Sequence, residues 1–195
     1  MKPNISITEV RNNLSQLGKA MRALTEQDVF IGIPEDKTAR EAAGDTGISN
    51  AYLGYIHEHG VPEKNIPPRP HLMPGIEDIQ DEAADLLEYA AKHALEGKPE
   101  AVERTLNKIG ILGQNAVRAR FVNNDWDPLA DSTLDYQPLR KNDQGAVLTD
   151  KKGNPKRKKS RRERERTNPL IDTSQLRKAY THVIRKRGNT ALVVT

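Results

Sequence analysis

Apolar residues recur at Val10, Leu14, Leu17, Met21 and Leu24, in steps of four, three, four and three. That spacing puts them on one face of an amphipathic helix over residues 6–25. Ser6 and Glu9 have the S-x-x-E spacing of a capping box, in which each side chain satisfies a free backbone N–H at the helix start, and Ile5 and Val10 are placed to form a hydrophobic staple around it. The period then changes, and "DVFIGIP" (28–34) predicts a buried strand stopped by Pro34. The polar, glycine-bearing segment 35–47 predicts a mobile loop. Ser49 to His59 predicts a short helix ending at Gly60, where a left-handed C-cap costs little.

Two longer helices follow. Pro74 suits a first helical turn, and Ile76, Ile79, Ala83, Leu86, Leu87, Ala90 and Ala94 form a stripe. Gly97-Lys98-Pro99 breaks the pattern, which restarts with Val102, Leu106, Ile109, Leu112, Ala116 and Val117 and runs to Phe121. A break this short favours an antiparallel helical hairpin. From 122 to 168 the periodicity disappears, and no internal repeat is found. So long a stretch without periodicity predicts a functional loop or one disordered until bound. "DTSQLRKAY" predicts a short capped helix, and "THVIRKRGNTALVVT" two β-runs around the turn pair Gly188-Asn189.

Composition narrows the possibilities. With aromatics at 4% and charged residues at 30%, the core of this 195-residue chain must be built from Leu, Ile, Val and Ala. No run of about 18 apolar residues exists, so no membrane-spanning helix is expected. The first residues, "MKPNISITEV", lack the apolar stretch of a signal peptide, which predicts a protein made in a cytosol. Absence of cysteine excludes disulfides, thiol catalysis and cysteine-ligated zinc. The net charge of +4 is unevenly placed. Residues 140–167 hold twelve Lys or Arg against four Asp or Glu, and the rest of the chain carries 19 basic and 23 acidic residues. A mildly acidic body thus bears one strongly basic segment.

Two stretches invite a chemical reading. His57-Glu58-His59 resembles a metal-binding cluster, but two histidines two positions apart on a helix face away from each other. A zinc helix needs a spacing of four. The expectation is a helix end with its polar residues in solvent. No acidic pair, nucleophile motif or phosphate-binding loop stands out, "GDTG" included, so no catalytic residue, metal ligand or cofactor is expected. The second stretch is "KKGNPKRKKSRRERERT" (151–167). Lys151, Lys152, Lys156, Arg157, Lys158, Lys159, Arg161, Arg162, Arg164 and Arg166 are candidates for contact with nucleic acid or with an acidic neighbour. A solvated, flexible insertion is the competing reading. Stacking aromatics are missing, which argues against selective binding of single strands. Trp126, the only tryptophan, is either an interface anchor or a plug under its own loop.

Three blocks, "YIHEHG…IPPRPHLMPGIED", "WDPLADST" and "NPLIDTSQLRKAYTHVI", together resemble tailed-bacteriophage neck and tail-completion proteins, the group of the virion-morphogenesis and minor tail-component families. The blocks touch Tyr55–Ile76, Trp126–Thr133 and Asn168–Ile184, roughly a quarter of the chain, in the family's order. His59 stands where such turns carry an aromatic, His71 where the strip carries Phe, and Ser174 where Gly is usual. The basic insertion is longer than the family's pattern suggests.

The resemblance implies an α+β fold over a single domain, 1–195. A small, mostly antiparallel sheet would pack against the N-terminal helix and a long helical hairpin, with residues 140–167 as an extended basic loop or arm. It also implies a virion structural protein and no enzyme. Copies would form a homo-oligomeric ring, six by analogy with tail-completion rings. The ring would end the tail, meet neighbouring neck and tail-tube proteins, and leave a channel for genomic DNA. In this setting "IPPRP" is a rigid lead-in. Its flanking prolines hold Arg69 extended, ready to bond carbonyls or a partner's carboxylate, or to pair within its own domain. The rival is a free nucleic-acid-binding protein that uses 140–167 as its arm.

Overall fold

In the computed structural model, residues 7–39, 48–98, 100–171 and 174–187 are described, with side chains from Leu14 onward. Ser6 of the expected capping box, the staple of Ile5 and Val10, most of the loop 35–47, the Gly188-Asn189 turn and the last β-run all involve residues outside that range. The helices are α1 (Ile7–Thr25), α2 (Asn50–His59), α3 (Leu72–Glu77), α4 (Gln80–Leu95), α5 (Glu100–Arg120), α6 (Asp131–Asp135) and α7 (Gln175–Ala179). Two strands, β1 (Gln27–Gly32) and β2 (Thr181–Lys186), pair antiparallel, with Gln27 opposite Lys186 and Gly32 opposite Thr181. The fold is α+β, as the periodicities and the resemblance imply.

Helix α5 is the axis of the molecule. Ala101, Val102 and Leu106 in its first half are buried, and Val102 and Leu106 pack with Ala90 and Ala94 of α4, just across the Gly97 turn. Val117 near its far end lies on Gly75 of α3, so the hairpin is antiparallel. Between these contacts the sheet crosses α5 at Gly110 and Gly113, where an added Cβ would collide with His182 and Ile31 respectively. Glycines three apart on one face thus let a helix lie directly on a strand pair. Val29 and Ile31 point to this side. Phe30, between them, points away and is 40% exposed. The expected buried strand is therefore half-buried: among the described residues the sheet has two strands, and α5 lies on one face of it.

Two helical expectations change. The stripe of Leu14, Leu17 and Met21 does not face the core: these residues are 63, 44 and 58% exposed. α1 instead seats its alanine edge, with Ala20 buried and Ala23 and Leu24 beside it. Small side chains let α1 approach α4 closely, and the larger apolar flank is left outside. The helix expected from Pro74 to Ala94 is in fact two. It starts at Leu72 and is interrupted at Ile79, whose φ of −107° and ψ of 3° leave helical geometry. Asp78, at the break, pairs with Arg120 of α5.

The stretch 122–168, expected to be a functional loop or one disordered until bound, holds a defined structure. α6 occupies part of it, and residues 138–158 form a three-sided spur. The Arg140 N–H donates to the Lys156 carbonyl (2.8 Å), Leu148 N–H to Arg140 (2.8 Å), and Lys156 N–H to Leu148 (2.7 Å). Each segment therefore bonds both others, closing the ring. One layer along, the N–H groups of Asn142, Asp150 and Lys158 donate to the carbonyls of Ala146, Asn154 and Pro138 at 2.9, 2.8 and 2.8 Å.

The two turns match. Asn142 Oδ1 accepts from the N–H groups of Gln144 and Ala146, and Asp150 Oδ1 from those of Lys152 and Asn154. Gly145 and Gly153 hold φ of 82° and 84°, a region strained for other residues. Equivalent positions are eight residues apart, so the chain does contain a repeat, one of backbone and turn chemistry rather than of apolar residues.

Candidate functional site

The three blocks singled out in the sequence meet at one place. α2 ends at the expected Gly60, whose φ of 74° suits glycine, but with ψ of 174° the residue is extended and not the left-handed helical cap the sequence suggested. The chain turns back through a Val61–Ile66 bridge, and the prolines around Arg69 keep the strip extended, its N–H donating to the His57 carbonyl at 2.6 Å. α3 then begins with its free N–H groups aimed at α2. Glu58 receives all three: His71 and Leu72 donate to Oε2 (2.8 and 2.9 Å) and Met73 to Oε1 (3.0 Å). Glu58 is thus an inward-facing cap, which corrects the expectation of a solvent-facing side chain at this residue, whereas His59 is exposed as expected. Burial would raise its pKa, but the three N–H donors and nearby His71 outweigh that and hold it below the usual carboxylate value.

His71 is fully buried. Its Nδ1–H donates to the Arg69 carbonyl (2.9 Å) and lies 3.3 Å from Glu58, so Nε2 is the acceptor for the Tyr180 hydroxyl at 2.7 Å. Burial pushes the imidazole below its ordinary pKa, against the raising effect of the Arg69 carbonyl and Glu58. Burial and the Glu58 charge push the Tyr180 phenol well up. Both groups are neutral near pH 7. The imidazole meets the rings of Phe121 and Tyr180 edge-on, at centroid distances of 4.6 and 5.1 Å.

Trp126, from the second block, donates from Nε1 to the Pro70 carbonyl (3.2 Å) and packs on this cluster. It serves as a plug on its own chain. Arg69, 6% exposed, reaches the Asp127 carbonyl from Nη2 at 3.4 Å, so it too ties the first block to the second. From the third block, the Tyr180 carbonyl accepts from Arg118 Nε (3.0 Å) and Nη2 (2.6 Å), which fixes the entry to β2. Ser174, the departure from Gly, holds φ of 61° at the start of α7 and gives no side-chain cap. That conformation is the one in which glycine is unstrained. A shallow groove of about 200 Å³ beside the junction is lined by Gly32, Ile33, Gly54, Tyr55, Leu72 and Tyr180 among others.

The basic candidates divide into two groups. Arg157, Arg161, Arg162 and Arg164 work at the base of the spur. Arg157 donates to the Gln137 carbonyl, Arg161 to those of Arg166, Asn168 and Ile171, and Arg164 to that of Ser160. Arg162 pairs with Asp131 and Asp135 of α6. Arg166 lends its carbonyl to Arg161. Lys151, Lys152, Lys156, Lys158 and Lys159 are exposed on the spur. Among the described residues no three His, Asp or Glu side chains are placed to hold a metal ion.

What the sequence reading missed are the Glu58 cap, the His71–Tyr180 pair, the Arg118 clamp and the spur. Only the spur left a local signal, the Asn/Asp-x-x-Gly spacing shared by Asn142–Gly145 and Asp150–Gly153. The chain matches no family model, no curated protein and no solved structure.

Proposed function

We propose that this chain is a non-catalytic assembly subunit, a structural component of a tailed-phage neck. In that role copies form a ring that completes the tail, joins it to the head and surrounds a DNA channel. The observation that carries the reading is the convergence of the three family-like blocks. Arg69, Pro70 and His71 of the first, Trp126 and Asp127 of the second and Tyr180 of the third bond across the blocks, and 109 residues separate His71 from Tyr180. Short blocks that recur by chance have no reason to build one junction. Glu58, His71 and Tyr180 bond within the junction, although the buried Arg69 Nε has no partner among the described residues.

A cyclic ring needs two different matching surfaces on each copy. The open apolar flank of α1, Leu14, Leu17 and Met21, is the kind of surface that assembly covers. Native mass spectrometry of the full chain, alone and with isolated phage tails, tests the reading. A discrete ring-sized oligomer, or addition of the chain to tails, is expected. A monomer that joins neither itself nor tails overturns it.

A further inference from the structure

We infer that the spur of residues 138–158, with the adjoining Lys159, is a preformed contact for the phosphodiester backbone of duplex DNA, binding by charge and form without reading sequence. This adds a partner to the neck reading but stands on the spur's own chemistry. Every residue from Leu139 to Lys159 is exposed, so the segment projects from the body. It carries eight Lys or Arg against two Asp, and one of those, Asp150, is engaged in its own turn. Arg140 and Lys141 stand on the first segment, Lys151 and Lys152 in the second turn, and Lys156, Lys158 and Lys159 on and just beyond the third. None of these seven side chains has a hydrogen bond within the described residues.

Three features favour phosphate over a protein partner. Lysine is depleted at protein–protein interfaces, where aromatic anchors carry much of the energy, and the spur has no aromatic residue; its exposed large apolar side chains are Leu139, Val147 and Leu148. Its charge is spread over the first and third segments and the turn between the second and third. A duplex, with a phosphate for every ~1.7 Å of axis, accepts such a distribution in many registers. The closed ring of backbone bonds leaves no free strand edge for another chain to extend. Lack of aromatics removes the stacking platform that single strands require. The ring also means that the ordering entropy is met on folding, before DNA arrives. Arg157 and Arg162 hold the base through Gln137, Asp131 and Asp135, so they serve the spur's posture while the lysines meet the ligand.

The test uses the full chain with a labelled mixed-sequence DNA duplex and the matching single strand, in anisotropy titrations between about 50 and 200 mM salt. The expected result is duplex binding that weakens steeply with salt. Replacing Lys151, Lys152, Lys156, Lys158 and Lys159 by Gln should lower affinity at least ~10-fold at low salt and flatten the log–log salt slope by about 0.9 for each phosphate that is no longer neutralised. A second variant, Gly145→Val with Gly153→Val, keeps every charge but strains both turns, and should bind more weakly as well. Absence of duplex binding, equal binding by the glutamine variant, or preference for the single strand overturns the inference. Equal binding by the valine variant overturns its claim that the form is needed. If the glutamine variant instead loses self-association and keeps DNA binding, the spur belongs to a neighbouring copy. Oligomeric state, read by native mass spectrometry in the same samples, separates failure of this inference from failure of the neck reading.

Discussion

The Tyr180 hydroxyl donates to His71 Nε2 at 2.7 Å, joining the start of α3 to the residue that leads into β2. Tyr180→Phe would leave a buried ring nitrogen without its donor, a loss of about 1–3 kcal/mol. His71→Phe removes the ring nitrogen and strands the Tyr180 hydroxyl instead. The double variant should cost less than the sum of the two single changes, because it removes both partners. Urea unfolding of the four proteins measures this coupling, and strict additivity would show that the bond contributes nothing.

The same histidine sets a pH dependence. Its folded-state pKa lies below the ordinary 6.5, so in acid the unfolded chain takes up a proton that the folded chain refuses. The stabilisation is complete above about pH 6.5 and is lost as pH falls from there through the folded value. Glu58 has the same sign in a lower window: its contribution is present above its ordinary 4.5 and is lost as pH falls through its depressed value. Melting temperature should therefore begin to drop below about pH 6.5, and His71→Phe should remove that first step while keeping the later one.

Glu58→Ala uncaps three N–H groups at once and should destabilise by about 2 kcal/mol or more. Glu58→Gln keeps an acceptor oxygen without the charge and should cost about half as much. Chemical denaturation decides this, and equal stability of all three proteins would mean that water caps α3 as well as the carboxylate does.

Changing Leu14, Leu17 and Met21 together to Gln tests the open flank of α1. These side chains are exposed, so the fold should stay within about ±0.5 kcal/mol per site. Self-association, read by native mass spectrometry, should fall. Unchanged assembly would assign the subunit interface elsewhere.

Much of the helical body could be read from the chain, because apolar spacing reports which residues of one helix share a face. It does not report where on that face the neighbour sits, and α1 accordingly turned its alanine edge inward when the larger residues pointed to the other solution. The split at Ile79 was also hidden, and the pairing of the adjacent Asp78 with Arg120 of a different helix is a contact that apolar spacing does not report. The junction was half visible. The strip and its prolines were recognisable, but the Glu58 cap spans 13 residues and the His71–Tyr180 bond 109, distances over which no local pattern speaks. The spur escaped for another reason. Its repeat of eight is neither the period of a helix nor that of a strand, and its order comes from backbone and Asx-turn bonds that apolar spacing does not encode.

The pairing of Gln27–Gly32 with Thr181–Lys186 also has a bearing on how the molecule comes into being. During synthesis β1 emerges early and has no strand to pair with until almost all of the described chain has followed. The local contacts of the α4–α5 hairpin can form in the meantime, whereas the sheet carries the cost of closing a very long loop. The tie from Tyr180 to His71 and the clamp from Arg118 wait on the same late segment. Here Thr181–Lys186 fastens Gln27–Gly32, so the sheet of the described residues closes only after the segment up to Lys186 has been made.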